Sequence, residues 1–254
     1  MKRILFLLGL CLTACTPTLI ATPPSTPQPL RVSYHPLLEP VTEALNACAR
    51  SHTEFIILTN ISLIPNSEKA DLILWLGAIP QQFVSSHTDS STTPLAWERI
   101  HIIIHPSNPL TSLTLEELKL LYSGRVSNWD EFTDYDQPVS VWTYPSDNLL
   151  GAFFEETFLH PVVITSLGWL AFTPEAMHSG IASDPGAIGY TLHSWLTPDQ
   201  KVKTVQLSVD EATMRLPVLA FTATKPTGAL YTLIACLQSG AGQDSLLEAY
   251  LPWE

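Results

Sequence analysis

The stretch that decides the fold is HPSNPLTSLTLEELKLLYSGRVSNW, residues His105 to Trp129. Asn108-Pro109 closes a strand, because proline cannot donate to a ladder. Ser112 or Thr114 then caps a helix whose apolar residues Leu115, Leu118, Leu121 and Tyr122 recur at helical spacing. Ser123-Gly124 ends that helix, glycine being the residue that accepts a left-handed backbone just past a helix end. An Asn128-Trp129-Asp130 turn follows. The pattern is strand, helix, stop.

The same grammar runs outward in both directions. Leu30 to Tyr34 and Phe55 to Leu58 are expected strands, with a helix over Leu38 to Cys48 between them. Ala70 to Leu76 and Ile100 to Ile104 are nearly all apolar, as strands buried on both faces are. Ser85 to Thr93 is polar and without period, a surface loop. Beyond Trp129, a strand is expected at Val139 to Tyr144 and a helix at about Asn148 to Phe158. Further on come a strand at Leu216 to Thr222 and helices at Gly228 to Gln238 and Asp244 to Tyr250. Strands alternating with helices define an α/β fold with mostly parallel sheets and helices on both faces.

Three segments carry a family resemblance. His105 to Trp129 closely resembles the "NPxNPvxxLTxxqLxxIFsGxxxNW" segment of phosphate-type periplasmic substrate-binding proteins, which have the two-lobed periplasmic-binding-protein (PBP) type II fold. Asp184 to Tyr190, DPGAIGY, resembles that family's "xPGAIGY" strand. Ala235 to Pro252, ACLQSGAGQDSLLEAYLP, resembles its terminal "flxSxxGQxxlxxxGYxP", with Ala249 where glycine is usual. The resemblance implies a first lobe from residues 30–104 plus 205–254 and a second from 105–204. It implies hinges near His105 and between Thr191 and Leu216. It implies a receptor that closes over a small-molecule solute and docks on an ABC permease.

The family's anion-binding residues do not carry over. Its "GSTT" loop after the first strand falls on Ser33-Tyr34-His35-Pro36, which lacks the glycine needed for close backbone approach. Val141 to Phe154, VWTYPSDNLLGAFF, aligns without gaps on "VVSRxxGSGTRxxF". Tyr144 then stands where the family has arginine, and Asn148-Leu149-Leu150 where it has Ser-Gly-Thr. The bidentate guanidinium grip on phosphate is missing. Asp147 beside the helix start can cap that helix and would repel a dianion. After Asp71, where the family often has Ser-Arg, the strand continues to Trp75. The cleft implied by the resemblance is lined by Ser33, Tyr34, His35, Trp75, Tyr144, Asp147 and Asn148. That lining suits an organic or weakly charged solute better than phosphate. A scaffold without transport, serving as sensor or surface interaction module, is the alternative.

The ends and the composition set the compartment. Lys2-Arg3, an apolar run from Ile4 to Leu12 and then Leu12-Thr13-Ala14-Cys15 describe a secretory signal over residues 1–14. The run is shorter than the ~20 residues a bilayer span needs. Leu-Thr-Ala-Cys looks like a bacterial lipobox, implying cleavage before Cys15, its lipidation and an anchor on the extracytoplasmic face of the membrane. A plain signal peptide with an incidental cysteine is the other reading. Residues 15–29 are rich in proline and threonine and read as an extended tether. Without Lys2 and Arg3 the chain has 10 basic side chains against 24 acidic, a net charge of −14. No basic cluster occurs, so nucleic acid is not an expected partner. Cys48 and Cys236 lie in apolar helical patterns, as two buried thiols or as one disulfide. The sequence has no GxSxG, HExxH or CxxC, and Glu116-Glu117 and Glu155-Glu156 lie on helix faces open to solvent. No enzyme, metal or cofactor is expected.

Overall fold

The computed structural model describes residues 26–66 and 68–253. The signal segment at 1–14, Cys15 and residues 16–25 of the expected tether lie outside them. The first strand, β1 (Gln28–Tyr34), takes in Gln28 and Pro29, which the sequence reading assigned to the tether. Both pair with β2 (Phe55–Ile61), and a proline is tolerated so near a strand's start. A 3-10 turn at Pro36–Leu38 precedes α1 (Val41–Ser51), so the expected helix begins only after Pro40. β3 (Leu72–Leu76) is buried at every residue. After the short α2 (Gln81–Ser85) comes β4 (Ser91–Ile104), which begins inside the expected surface loop. Ser91, Thr92 and Thr93 pair there with Thr222, Phe221 and Ala220, so ladder bonds rather than apolar content make them strand.

The opening stretch folds as β5 (Ser112–Thr114) and α3 (Leu115–Tyr122). Of the two candidate caps, Thr114 is used. Its Oγ1 accepts from the Glu117 N–H at 3.2 Å, and Glu117 reaches back to the Thr114 N–H at 2.7 Å, forming a capping box. Gly124 takes the left-handed conformation at φ 73°. Trp129 is fully buried and donates its indole N–H to the Gly186 carbonyl at 2.9 Å, tying this stretch to the DPGAIGY segment. Next come β6 (Ser140–Thr143), α4 (Leu149–Phe154), which continues as a π turn over Glu155–Leu159, and β7 (Trp169–Leu170). Then follow α5 (Pro174–Ser183), β8 (Ala187–Leu192), β9 (Lys203–Ser208) and β10 (Arg215–Thr222). The chain finishes with α6 (Gly228–Gln238), α7 (Ala241–Leu246) and β11 (Leu251–Pro252).

The strand order is β2-β1-β3-β10-β4-β8-β6-β7. Pairing is parallel among β1, β2 and β3 and again among β6, β7 and β8. The middle of the sheet is antiparallel, through β3-β10, β10-β4 and β4-β8. β4 belongs to both parts. Its residues 91–99 pair with β10, and Ile100 to Ile104 pair with β8, with β9 added beside Ile102 to Ile104. Cys48 of α1 and Cys236 of α6 form a disulfide with their Cα atoms 5.9 Å apart, so the last long helix packs on the first.

Candidate functional site

A cavity of about 680 Å³ opens where the ends of β1 and β3 face the start of α4. One wall is built from His35, the Leu63-Ile64-Pro65 loop after β2, and Trp75 to Ala78 at the end of β3. The other is the first turn of α4, with Asp147, Asn148, Leu149 and Phe153. Beyond the carboxyl ends of strands is where ligands sit in open α/β sheets. Gly77, at φ 78°, makes the turn that carries the chain away from β3, and its N–H donates to the Pro217 carbonyl at 2.8 Å.

Each polar group of the walls has a definite state. His35 is the N-cap of the 3-10 turn, and its Nδ1 accepts from the Leu37 N–H at 3.2 Å. The ring proton therefore resides on Nε2. Burial pushes its pKa down to about 4, so the ring is a neutral N–H donor at pH 7. The ring stands edge-on to Trp75, centroids 5.5 Å apart, and the Trp75 indole N–H is held by the Ala78 carbonyl at 3.2 Å. Asn148 is the N-cap of α4, with Oδ1 accepting from the Leu150 N–H at 2.9 Å and the Gly151 N–H at 3.4 Å. Asp147, expected to be able to cap this helix, does not do so. Its side chain is exposed and has no hydrogen bond or ion pair to any described residue. Among the described residues it is the sole formal charge in the cavity lining.

His35, Trp75, Asp147 and Asn148, of the seven expected cleft residues, line this one cavity. Ser33, Tyr34 and Tyr144 are not among the lining residues. Ser33 and Tyr34 are buried within β1. Tyr144 is buried at 1% exposure and packs edge-on against Tyr190, which stacks in turn on Phe154 at 3.7 Å. The position where the family carries arginine is therefore part of an aromatic core. The tyrosine's own hydroxyl is pushed to a higher pKa by that burial. Leu63, Ile64, Leu149 and Phe153 carry much of the apolar lining and were not picked out from the sequence as lining. Leu63 and Ile64 could have been suspected, as bulky residues in a loop with no helical or strand period.

A mixed α/β sheet with one long strand shared between two parts, and a cavity at the strand ends, is the architecture of the type II periplasmic-binding-protein class. The family model described as "PBP superfamily domain" matches residues 78–251, and the chain belongs to that superfamily. The phosphate-binding protein PstS of Bacillus subtilis is 27% identical over 163 residues, 59% of this chain and 53% of that protein. The chain thus matches about half the length of that curated relative. A Clostridium perfringens protein described as a phosphate ABC transporter substrate-binding protein, solved with bound phosphate, superposes with a TM-score of 0.74 at 21% identity. That match covers 89% of this chain and 100% of the other. An ABC-type phosphate transport receptor from Vibrio cholerae gives 0.67 at 17% identity over 87% and 99%. The regulatory domain of MetR, a LysR-family regulator from N. meningitidis, gives 0.61 at 16% over 88% and 95%. These structures share the fold. Among the described residues no helix is long and apolar enough to cross a membrane, and no group of metal-ligating side chains occurs.

Proposed function

We propose that this chain is a lipid-anchored, extracytoplasmic solute receptor, non-catalytic, whose ligand is not phosphate. One observation carries the reading. At the two helical turns that start from wall residues, the first free N–H groups are taken by side chains, that of Leu37 by His35 and those of Leu150 and Gly151 by Asn148. An anion would have to displace those caps, and it would meet Asp147 with no cation among the lining residues to offset it. Lipidation at Cys15 would hold the domain at the membrane, the Pro/Thr-rich stretch acting as tether. The two walls belong to lobes that close at hinges near His105 and between Thr191 and Leu216, after which the loaded form docks on a permease.

Titration of the purified protein with inorganic phosphate is expected to show no saturable binding at micromolar concentration. A thermal-shift panel of oxyanions, amino acids, amines and sugars should instead reveal an organic ligand. Binding to the folded state alone adds about 2.7 kcal/mol at a hundredfold excess over Kd. Tight phosphate binding would refute the reading. A second reading, a sensor or surface module without transport, is favoured by the likeness to the MetR regulatory domain. A permease and an ATPase encoded beside this chain decide for transport.

A further inference from the structure

We infer that the cavity takes an organic ligand with an apolar body and a single cationic nitrogen, the nitrogen pairing with the Asp147 carboxylate. The inference rests on the receptor reading and names its ligand class. Three observations converge on it. Among the described residues Asp147 is the only charged side chain in the lining, and it has no partner there. A carboxylate in the lining of an otherwise uncharged cavity selects for positive charge by ion pairing and selects against anions by repulsion. The walls on either side are apolar, with Leu63 and Ile64 69% and 74% exposed and Leu149 and Phe153 across from them. An apolar ligand body would cover that surface. Trp75 and Phe153 add ring surface, which attracts a cation as well as apolar groups. His35 supplies one neutral N–H donor for an oxygen acceptor on the ligand, so charge is recognised only at the Asp147 end. The whole molecule agrees in sign. With a net charge of −12 it draws cations towards itself over long range and slows the approach of anions.

The test is isothermal titration of the full chain with four probes: phenylbutylamine, phenylbutanol, phenylbutyrate and inorganic phosphate. The first three share a phenylalkyl body and carry a cationic, a neutral and an anionic end group. The amine is expected to bind about tenfold more tightly than the alcohol, with the acid weakest, because a charge-assisted hydrogen bond outweighs a neutral one. Asp147→Asn should erase the difference between amine and alcohol, and Asp147→Glu should keep it. Asp147 is exposed and makes no contact that folding needs, so both variants report on binding. Equal affinity for amine and alcohol, or tightest binding of the acid, overturns the cationic assignment and leaves the receptor reading standing. Saturation by phosphate alone overturns both. Silence from all four probes overturns the inference, and the wider thermal-shift panel then judges the receptor reading separately.

Discussion

Asn148 Oδ1 can hold the Leu150 and Gly151 amides or leave them for a ligand, but it cannot do both. The same choice is made at His35, whose Nδ1 holds the Leu37 amide. That Asn148 and His35 would stand at the cavity wall was legible in the sequence, because both fall at positions the family resemblance marks. That Asn148, and not Asp147, would be the cap was not, since both residue types cap helices well. Nothing in the sequence marks Glu98. In LAWERIHIII it reads as a charged residue at the solvated end of a strand, yet it is fully buried on β4. Its Oε1 accepts from the Arg99 N–H at 2.8 Å and the Ser194 N–H at 3.3 Å, while Oε2 has no hydrogen-bond partner. Burial pushes its carboxyl from 4.5 up to about 7, against the pull of those hydrogen bonds. An acid whose pKa is raised by folding binds its proton more tightly when folded. Its contribution is full below pH 4.5 and is lost as the pH rises through about 7. His35 and His101, both held down to about 4 by burial, act in the opposite sense, losing their contribution as the pH falls from 6.5 through about 4. Glu98→Gln isolates the carboxyl. Its stability by urea unfolding should match the parent near pH 4 and exceed it increasingly up to pH 7, by on the order of 3 kcal/mol. A difference that does not change with pH would show that folding does not raise the pKa of this carboxyl.

Elements with a strong period were read closely, and those defined by pairing or by tertiary cover were not. α6 spans Gly228–Gln238 as expected, because its apolar residues repeat at helical spacing through three turns. β9 went unread, although Val205 and Leu207 alternate as buried residues, because six residues with two apolar positions do not stand out. α5 was also missed, its sequence PEAMHSGIAS mixing a helix start with residues of modest helix propensity. The C-terminal motif has a reason that only packing reveals. α7 lies against α1 directly over the disulfide, and a Cβ on Gly242 would collide with Cys48 Sγ and stand 2.8 Å from Cys236 Sγ. The glycine of the Gly-Gln pair is therefore a spacing residue between helices. Gly242→Ala is expected to cost about 1–3 kcal/mol, because overpacking forces α7 away from α1. The loss should shrink when Cys48 is also replaced by alanine, which removes the sulfur that the new methyl meets. Denaturant midpoints of the single and double variants measure both effects, and independent, additive losses would put the clash on the Cys236 carbonyl, also in the methyl's way, rather than on Cys48 Sγ.

At the scale of the whole molecule, the sheet is continuous and the ligand walls are not. β1, β2 and β3 carry one wall and the segment after β6 carries the other, and β4 is the long strand that serves both parts of the sheet. The resemblance gave this architecture from three short segments, since βαβ order and a returning C-terminal helix are properties of the whole pattern. The place where β4 changes partners, between Arg99 and Ile100, was beyond it, because a strand shows no internal sign of which neighbour it pairs with. A ligand that touches both walls gains contacts only if they approach, so binding should favour the closed arrangement by its differential affinity for that state. Hydrogen exchange tests this without knowledge of the closed structure. With a compound that saturates the cavity, the loop at residues 61–66 and the first turn of α4 should gain protection together. β3 and β10, already buried and paired, should change little. Protection confined to one wall would mean that the ligand sits on a single lobe and that no closure follows. Added salt should weaken the response to a cationic compound and leave that to a neutral one unchanged, since only the former is drawn in by the chain's negative field.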